Sequence, residues 1–132
     1  MLIPHLHFCG DCARAISLYE KAFQTKADGI IRNRDFAPEE CANDNRIAHA
    51  VMDIHGQTVF LNDRFGNEDK STNCAVHLII VFQNKDELLA CYEIFKEGSI
   101  TVDALQKLPY SELAVQFIDA FGVQWGFMVE RL

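Results

Sequence analysis

Apolar and polar residues alternate through residues 2–8, where Leu6 and Phe8 point away from His5 and His7. A period of two predicts a strand with one apolar face. Gly10 and Asp11 interrupt it, and Cys12, Ile16, Tyr19 and Phe23 then recur at helical spacing, so residues 12–23 read as a helix with one buried face. Asp11 stands where its carboxylate would accept from the orphan amides of the first turn, as an N-cap does. Residues 25–32 read as a second strand. The segment 33–45 carries Pro38, four acids and few apolar positions, and reads as a loop. Strands over 46–54 and 57–62 are hinged at His55-Gly56, and residues 63–73 form a polar connection.

The same order then starts again. Residues 75–82 are apolar and β-branched, as in a buried strand. Asn84 with Glu87 three residues on makes a capping-box-like start, Leu88, Cys91 and Phe95 line one helical face, and Gly98 stops the helix. Strands follow over 100–105, 113–118 and 123–129. The hairpins also repeat in sequence: Asp53-x-x-Gly56 recurs as Asp119-x-x-Gly122, 66 residues on and at the same place in each half. Turns favour these residues for local reasons. Their recurrence at matching places in both halves predicts an internal duplication. The expected architecture is α+β, one domain over 1–132 made of two tandem β-α-β-β-β modules, about 1–66 and about 72–132.

Composition narrows the function classes. The chain has 132 residues, 49% of them hydrophobic, enough for a packed core. Nineteen acids against twelve bases give a net charge of −7. That balance argues against nucleic-acid and anionic-membrane partners, which need a basic surface. The segment MLIPHLHFCGD has neither a basic region nor the long apolar run of a signal peptide, and the apolar run 78–82 is too short to span a bilayer. Five cysteines, an odd number, fit reduced thiols, so the expected location is cytoplasmic.

Three segments in order carry a family resemblance. HLHFCGDCARAISLYEKAF resembles the opening strand, turn and helix of the vicinal-oxygen-chelate proteins, the glyoxalase, bleomycin-resistance and dioxygenase superfamily. RIAHAVMDIHGQTVFLND resembles the paired strands of its PhnB-like branch, and FIDAFGVQWGF resembles the closing hairpin of that branch. The resemblance runs from residue 2 to about 129. It implies eight strands forming a curved mixed sheet around a concave pocket, a small-molecule ligand and a homodimer. It does not choose a reaction, because the superfamily holds metal-dependent enzymes and metal-free drug-sequestering proteins alike.

Metal-dependent members place a ligand on the first and last strand of each half, and an open divalent ion then stabilises an enolate-like or oxyanionic state. His5 and His77 fall on the two first strands. Four residues past each hairpin glycine, where the carboxylates belong, stand Phe60 and Gly126. A slip of two gives Asn62 and Met128, and a slip of four gives Arg64 and Glu130, so the full donor set is missing. His5 and His77 are the metal ligands only if a metal binds, with His7 or His49 filling in; no cofactor is favoured.

Other residues suit a pocket. His49 shares a strand face with Val51 and Asp53, and it is the candidate general base because imidazole titrates near neutrality. Tyr110 and Trp125 are candidates to stack on a flat ligand and Phe60 to wall it. Cys9-Gly10-Asp11-Cys12 places two thiols at a strand-to-helix turn, a context that can activate a thiol. No second cysteine pair completes a zinc site, and incidental thiols are the simpler reading. Asp35, Glu39, Glu40 and Asp44 read as a solvated lid or edge. The expectation is a small-molecule-binding protein without the full metal site, against a metal-dependent lyase, isomerase or dioxygenase using His5 and His77.

Overall fold

A computed structural model of the chain describes residues 1–40, 42–64 and 76–130, the side chain of Phe36 apart. The chain divides into two compact units, Met1–Lys70 and Ser71–Leu132. In the first unit β1 (His5–Phe8), α1 (Cys12–Phe23), β2 (Asp28–Arg32), a short α2 (Asn33–Phe36), β3 (Ile47–Ile54) and β4 (Gln57–Asp63) follow one another. They build a four-stranded sheet in the order β1-β4-β3-β2, with β1 parallel to β4 and the other pairs antiparallel. In the second unit β5 (Leu78–Phe82), α3 (Lys85–Phe95), β6 (Ile100–Leu108), β7 (Ser111–Ile118) and β8 (Gln124–Glu130) make the same sheet, in the order β5-β8-β7-β6.

Each sheet buries one face under its own helix. In the first unit Phe8, Ala50, Met52, Ile54, Val59 and Leu61 pack against Cys12, Ala15, Ile16, Tyr19 and Phe23 of α1, all nearly or fully buried. Each of the larger side chains stabilises by roughly 1.5–3 kcal/mol when taken fully out of water. In the second unit an aromatic cluster of Tyr92, Phe95, Phe117, Trp125 and Phe127 fills the same space.

Several expectations change in detail. The first strand is His5–Phe8 rather than 2–8, and β2 begins at Asp28. The expected loop 33–45 opens with α2, whose Asn33 amide donates to the Arg46 carbonyl at 2.8 Å. Asp44 belongs to no solvated lid: its carboxylate accepts from Arg46 Nη2 at 2.8 Å and Asn33 Nδ2 at 3.1 Å, pinning the segment to the start of β3. Those donors, with the Arg46 side chain foremost, hold the Asp44 carboxyl well below the usual carboxylate range. Asp35, Glu39 and Glu40 are exposed as expected. The polar connection 63–73 loses Asp63 to β4, and its residues 65–73 lie outside the described residues.

Asp11 does not cap α1. Its side chain bonds Arg14 Nη1 at 3.0 Å and no backbone amide of the helix. The cap comes from Asp63, at the far end of β4: Oδ1 accepts the amides of Gly10 (2.9 Å) and Cys12 (3.0 Å), and Oδ2 accepts the amide of Ile47 (2.9 Å). One buried carboxylate thus satisfies three backbone donors and ties β4 to the start of α1 and of β3. By contrast Asn84 caps α3 locally, accepting from the Glu87 amide at 2.9 Å, as its spacing predicts.

The repeated hairpins are not equivalent. Ile54 pairs with Gln57 across the two-residue turn His55-Gly56, whose φ angles of 50° and 83° suit a tight hairpin. In the second unit the Asp119 amide donates to the Val123 carbonyl at 2.9 Å, leaving residues 120–122 as the loop. Register makes the difference explicit, because Met52 pairs with Val59 as Phe117 pairs with Trp125. Asp119 therefore matches Ile54, not Asp53. Asp53 is exposed and accepts the Gly56 amide of its own turn, at 2.8 Å. Asp119 is buried, accepting the Phe121 and Val123 amides and, at 2.9 Å, Trp125 Nε1.

Candidate functional site

The helix-free face of the first sheet gathers most of the chain's imidazoles. His5 and His7 lie on it because they alternate with Leu6 and Phe8, and His5 pairs with Phe60 as His7 pairs with Asn62. Val51 of β3 pairs with Phe60 from the other side, which brings His49 onto the same face. The rings meet there: His5 and His7 centroids are 4.2 Å apart, His49 stands edge-on to Phe60 at 4.9 Å, and His5 stands edge-on to Phe60 at 6.0 Å. His7 Nδ1 bonds Asn62 Oδ1 at 2.6 Å. Phe60 thus stands between His5 and His49.

The electrostatics of the cluster favour a neutral His5 ring. Desolvation, followed by the proximity of His7 and His49, lowers the His5 pKa from its ordinary value. A neutral imidazole can accept a proton or a hydrogen bond, so the face offers lone pairs beside an aromatic surface.

The two first-strand histidines are not counterparts. In the first unit His5 sits opposite Phe60, whereas in the second Ile79 sits opposite Gly126. Since Leu61 and Phe127 are the matching buried neighbours, His5 corresponds to Ile79 and His7 to Val81. His77 precedes β5, one pleat away, and is exposed. Its ring lies across Gly126, where an added Cβ would come 3.2 Å from His77 Cδ2. Nothing but glycine fits under that ring without displacing it.

A metal centre built on His5 and His77 does not fit these residues. The positions beside them hold Phe60 and Gly126, which offer no donor side chain, and Ile79 replaces the second histidine. Among the described residues no group of three or more histidine, cysteine, aspartate or glutamate side chains is placed to hold a metal ion.

Trp125 and Tyr110 both belong to the second unit. Trp125 is 1% exposed and faces α3, packed on Phe95 with its Nε1 held by Asp119. It is a core residue and not a stacking surface. Tyr110 is 65% exposed in the turn between β6 and β7. The thiol pair is split as well. Cys9 is exposed, but burial, with the Asp63 charge adding to it, pushes Cys12 up to about 12. A thiol so disfavoured as thiolate is a poor nucleophile near neutrality. The sequence offers Asn62 as a displaced metal ligand alone; its pairing with His7 depends on β1 and β4 running parallel in register.

Comparison with known proteins bears on the fold. The chain matches no protein-family model, and no curated protein matches it by sequence. Solved structures do match. The PhnB protein of Bacillus cereus is 20% identical with a TM-score of 0.84, over 97% of this chain and 98% of that one. The glyoxylase/bleomycin resistance protein/dioxygenase domain of Frankia sp. EAN1pec is 18% identical with a TM-score of 0.72, over 99% and 97%. The fosfomycin resistance protein FosX of Listeria monocytogenes is 12% identical with a TM-score of 0.69, over 100% and 94%. The chain has the fold of the vicinal-oxygen-chelate superfamily, as the three sequence segments imply. Among the described residues no helix is long and apolar enough to cross a membrane.

Proposed function

We propose that the protein binds a small molecule on the helix-free face of its first sheet, over Phe60 and among His5, His7, His49 and Asn62, without the two-carboxylate metal centre of the metal-dependent enzymes of its fold. The observation that carries this reading is two imidazoles, His5 and His49, set edge-on to one phenyl ring with His7 beside His5, and Phe60 where a carboxylate would stand. A largely apolar surface with a few converging polar groups is the usual make-up of a small-molecule site. Two solved proteins of this fold, a bleomycin resistance protein domain and a fosfomycin resistance protein, also favour a small-molecule ligand over a macromolecule. His49 is the candidate proton acceptor if chemistry follows binding.

The chain works in this reading as a cytosolic homodimer. A reducing compartment suits its buried thiols, and the exposed Ile100, Val102 and Leu105 along the edge strand β6 support pairing with a second copy. Sedimentation at micromolar concentration checks the dimer, and a monomer there removes it.

The test of the site is a small-molecule fragment screen followed by NMR. Binding should perturb the imidazole signals of His5, His7 and His49, and Phe60→Ala should abolish it. Ligands that perturb only residues around α3 would sink the proposal. So would stoichiometric divalent metal in the purified protein that disappears in His5→Ala.

A further inference from the structure

We infer that His7, oriented by Asn62, presents an unprotonated Nε2 to the ligand, so that the site selects molecules carrying a hydrogen-bond donor, a phenol-type or enol-type hydroxyl, on a flat apolar body. The inference deepens the binding reading above and rests on it.

The chemistry begins with one short contact. Asn62 Oδ1 is a carbonyl oxygen and only accepts, so the ring atom 2.6 Å from it, His7 Nδ1, must carry the proton. In a neutral imidazole one nitrogen donates and the other accepts. With Nδ1 committed, the lone pair of His7, an exposed residue, is on Nε2. A residue that fixes which nitrogen of a histidine is basic acts through that histidine, and Asn62 is in this sense a positioning residue.

The register supplies Asn62 from one direction only. The Phe60 amide donates to the Pro4 carbonyl, and Arg64 donates to Phe8, so β4 keeps its even-numbered residues on one side as it runs beside β1. Phe60 and Asn62 therefore stand side by side beneath His5 and His7. A flat molecule resting on Phe60 has its edge at the His7 ring, and the group it meets there is an acceptor. A hydroxyl satisfies that acceptor; an ether or a bare ring leaves it desolvated, a cost comparable to a lost hydrogen bond.

Probes differing only in the donor separate the outcomes. Phenol and anisole are titrated into the whole protein at about pH 8, above the ordinary imidazole range, and followed through imidazole nitrogen signals. The expected result is a His7 ring protonated at Nδ1, a phenol-induced shift at its Nε2, and phenol binding tighter than anisole by about fivefold or more, the value of one net hydrogen bond. Asn62→Leu should remove the single-tautomer signature and most of that preference. Equal binding of the two probes, or a His7 proton on Nε2, overturns the inference and leaves the small-molecule reading standing. Binding of neither probe, with other fragments still binding at Phe60, overturns the donor selection alone; no fragment binding there overturns both.

Discussion

The carboxylate of Asp63 accepts the backbone amide of Cys12 at 3.0 Å, across 51 residues of chain. The helix that begins at Cys12 is therefore capped by the strand it packs on, and the thiol at its first position lies against a buried negative charge.

That arrangement separates two aspartates by their effect on stability. Asp63→Ala removes the acceptor of three amides, two of them in the interior, and should cost about 2 kcal/mol or more, since each buried donor without a partner costs about 1–3 kcal/mol. Asp11→Ala should fall within about 0.5 kcal/mol of the parent, as ordinary surface substitutions do, although its position beside the helix start would suggest the ~1 kcal/mol of an N-cap. Urea denaturation of both variants measures the contrast. A larger loss from Asp11 than from Asp63 would overturn the assignment of the cap.

The buried thiols bring an alkaline limit. Cys12 and Cys91 are each pushed up to about 12, by desolvation first. The unfolded chain releases those protons at about 8.5, so above that pH it binds fewer protons than the folded chain and stability falls as pH rises. Their contribution is complete below about 8.5 and is lost progressively up to about 12. Cys12→Ala should make the alkaline decline shallower. In the folded protein near neutral pH, iodoacetamide should spare Cys12 and Cys91 and reach them only after unfolding.

His5 works in the opposite sense. Its folded pKa is lowered, by desolvation and then by His7 and His49, so the unfolded chain takes up the proton first on acidification. Stability conferred by this group is present above the ordinary imidazole range of about 6.5 and is lost as pH falls through the folded value. An NMR titration should show His5 protonating at lower pH than the same residue in denaturant. Replacing His49 by Ala should move it part of the way back, because the larger cause, burial, remains.

Asp119 and Trp125 make a fourth test. Asp119→Ala removes the acceptor of a buried indole and of two turn amides. The expected loss is about 2–3 kcal/mol, together with a shift in tryptophan emission, which reports a single residue because the chain has one tryptophan. Asp53→Ala, at the other Asp-x-x-Gly turn, should change stability by less than about 1 kcal/mol.

The sequence made the architecture legible because hydrophobic period is a local signal: Leu6 and Phe8 against His5 and His7, or Cys12, Ile16, Tyr19 and Phe23, declare their elements without reference to partners. Phe60 and Gly126 were also found by counting, since the spacing from each hairpin glycine into the following strand is the same in both units. What counting along the chain does not contain is cross-strand register. The equivalence of His5 with Ile79, the reach of Asp63 to Cys12 and the bond from Asn62 to His7 all depend on which residue stands opposite which. Trp125 was misread for a related reason, because its inward direction is set by its pairing with Leu78 and Phe117, not by its aromatic character.

The longer loop of the second hairpin sets a rule for dissecting this chain. One extra residue shifts β7 by half a pleat period against the sequence repeat, so segments exchanged at the two Asp-x-x-Gly motifs would arrive with their faces inverted. A chimera built from two copies of one module should be joined by matching Met52 to Phe117 and Ile54 to Asp119. Cut at the motif itself, the recombined strand would turn its core residues to water.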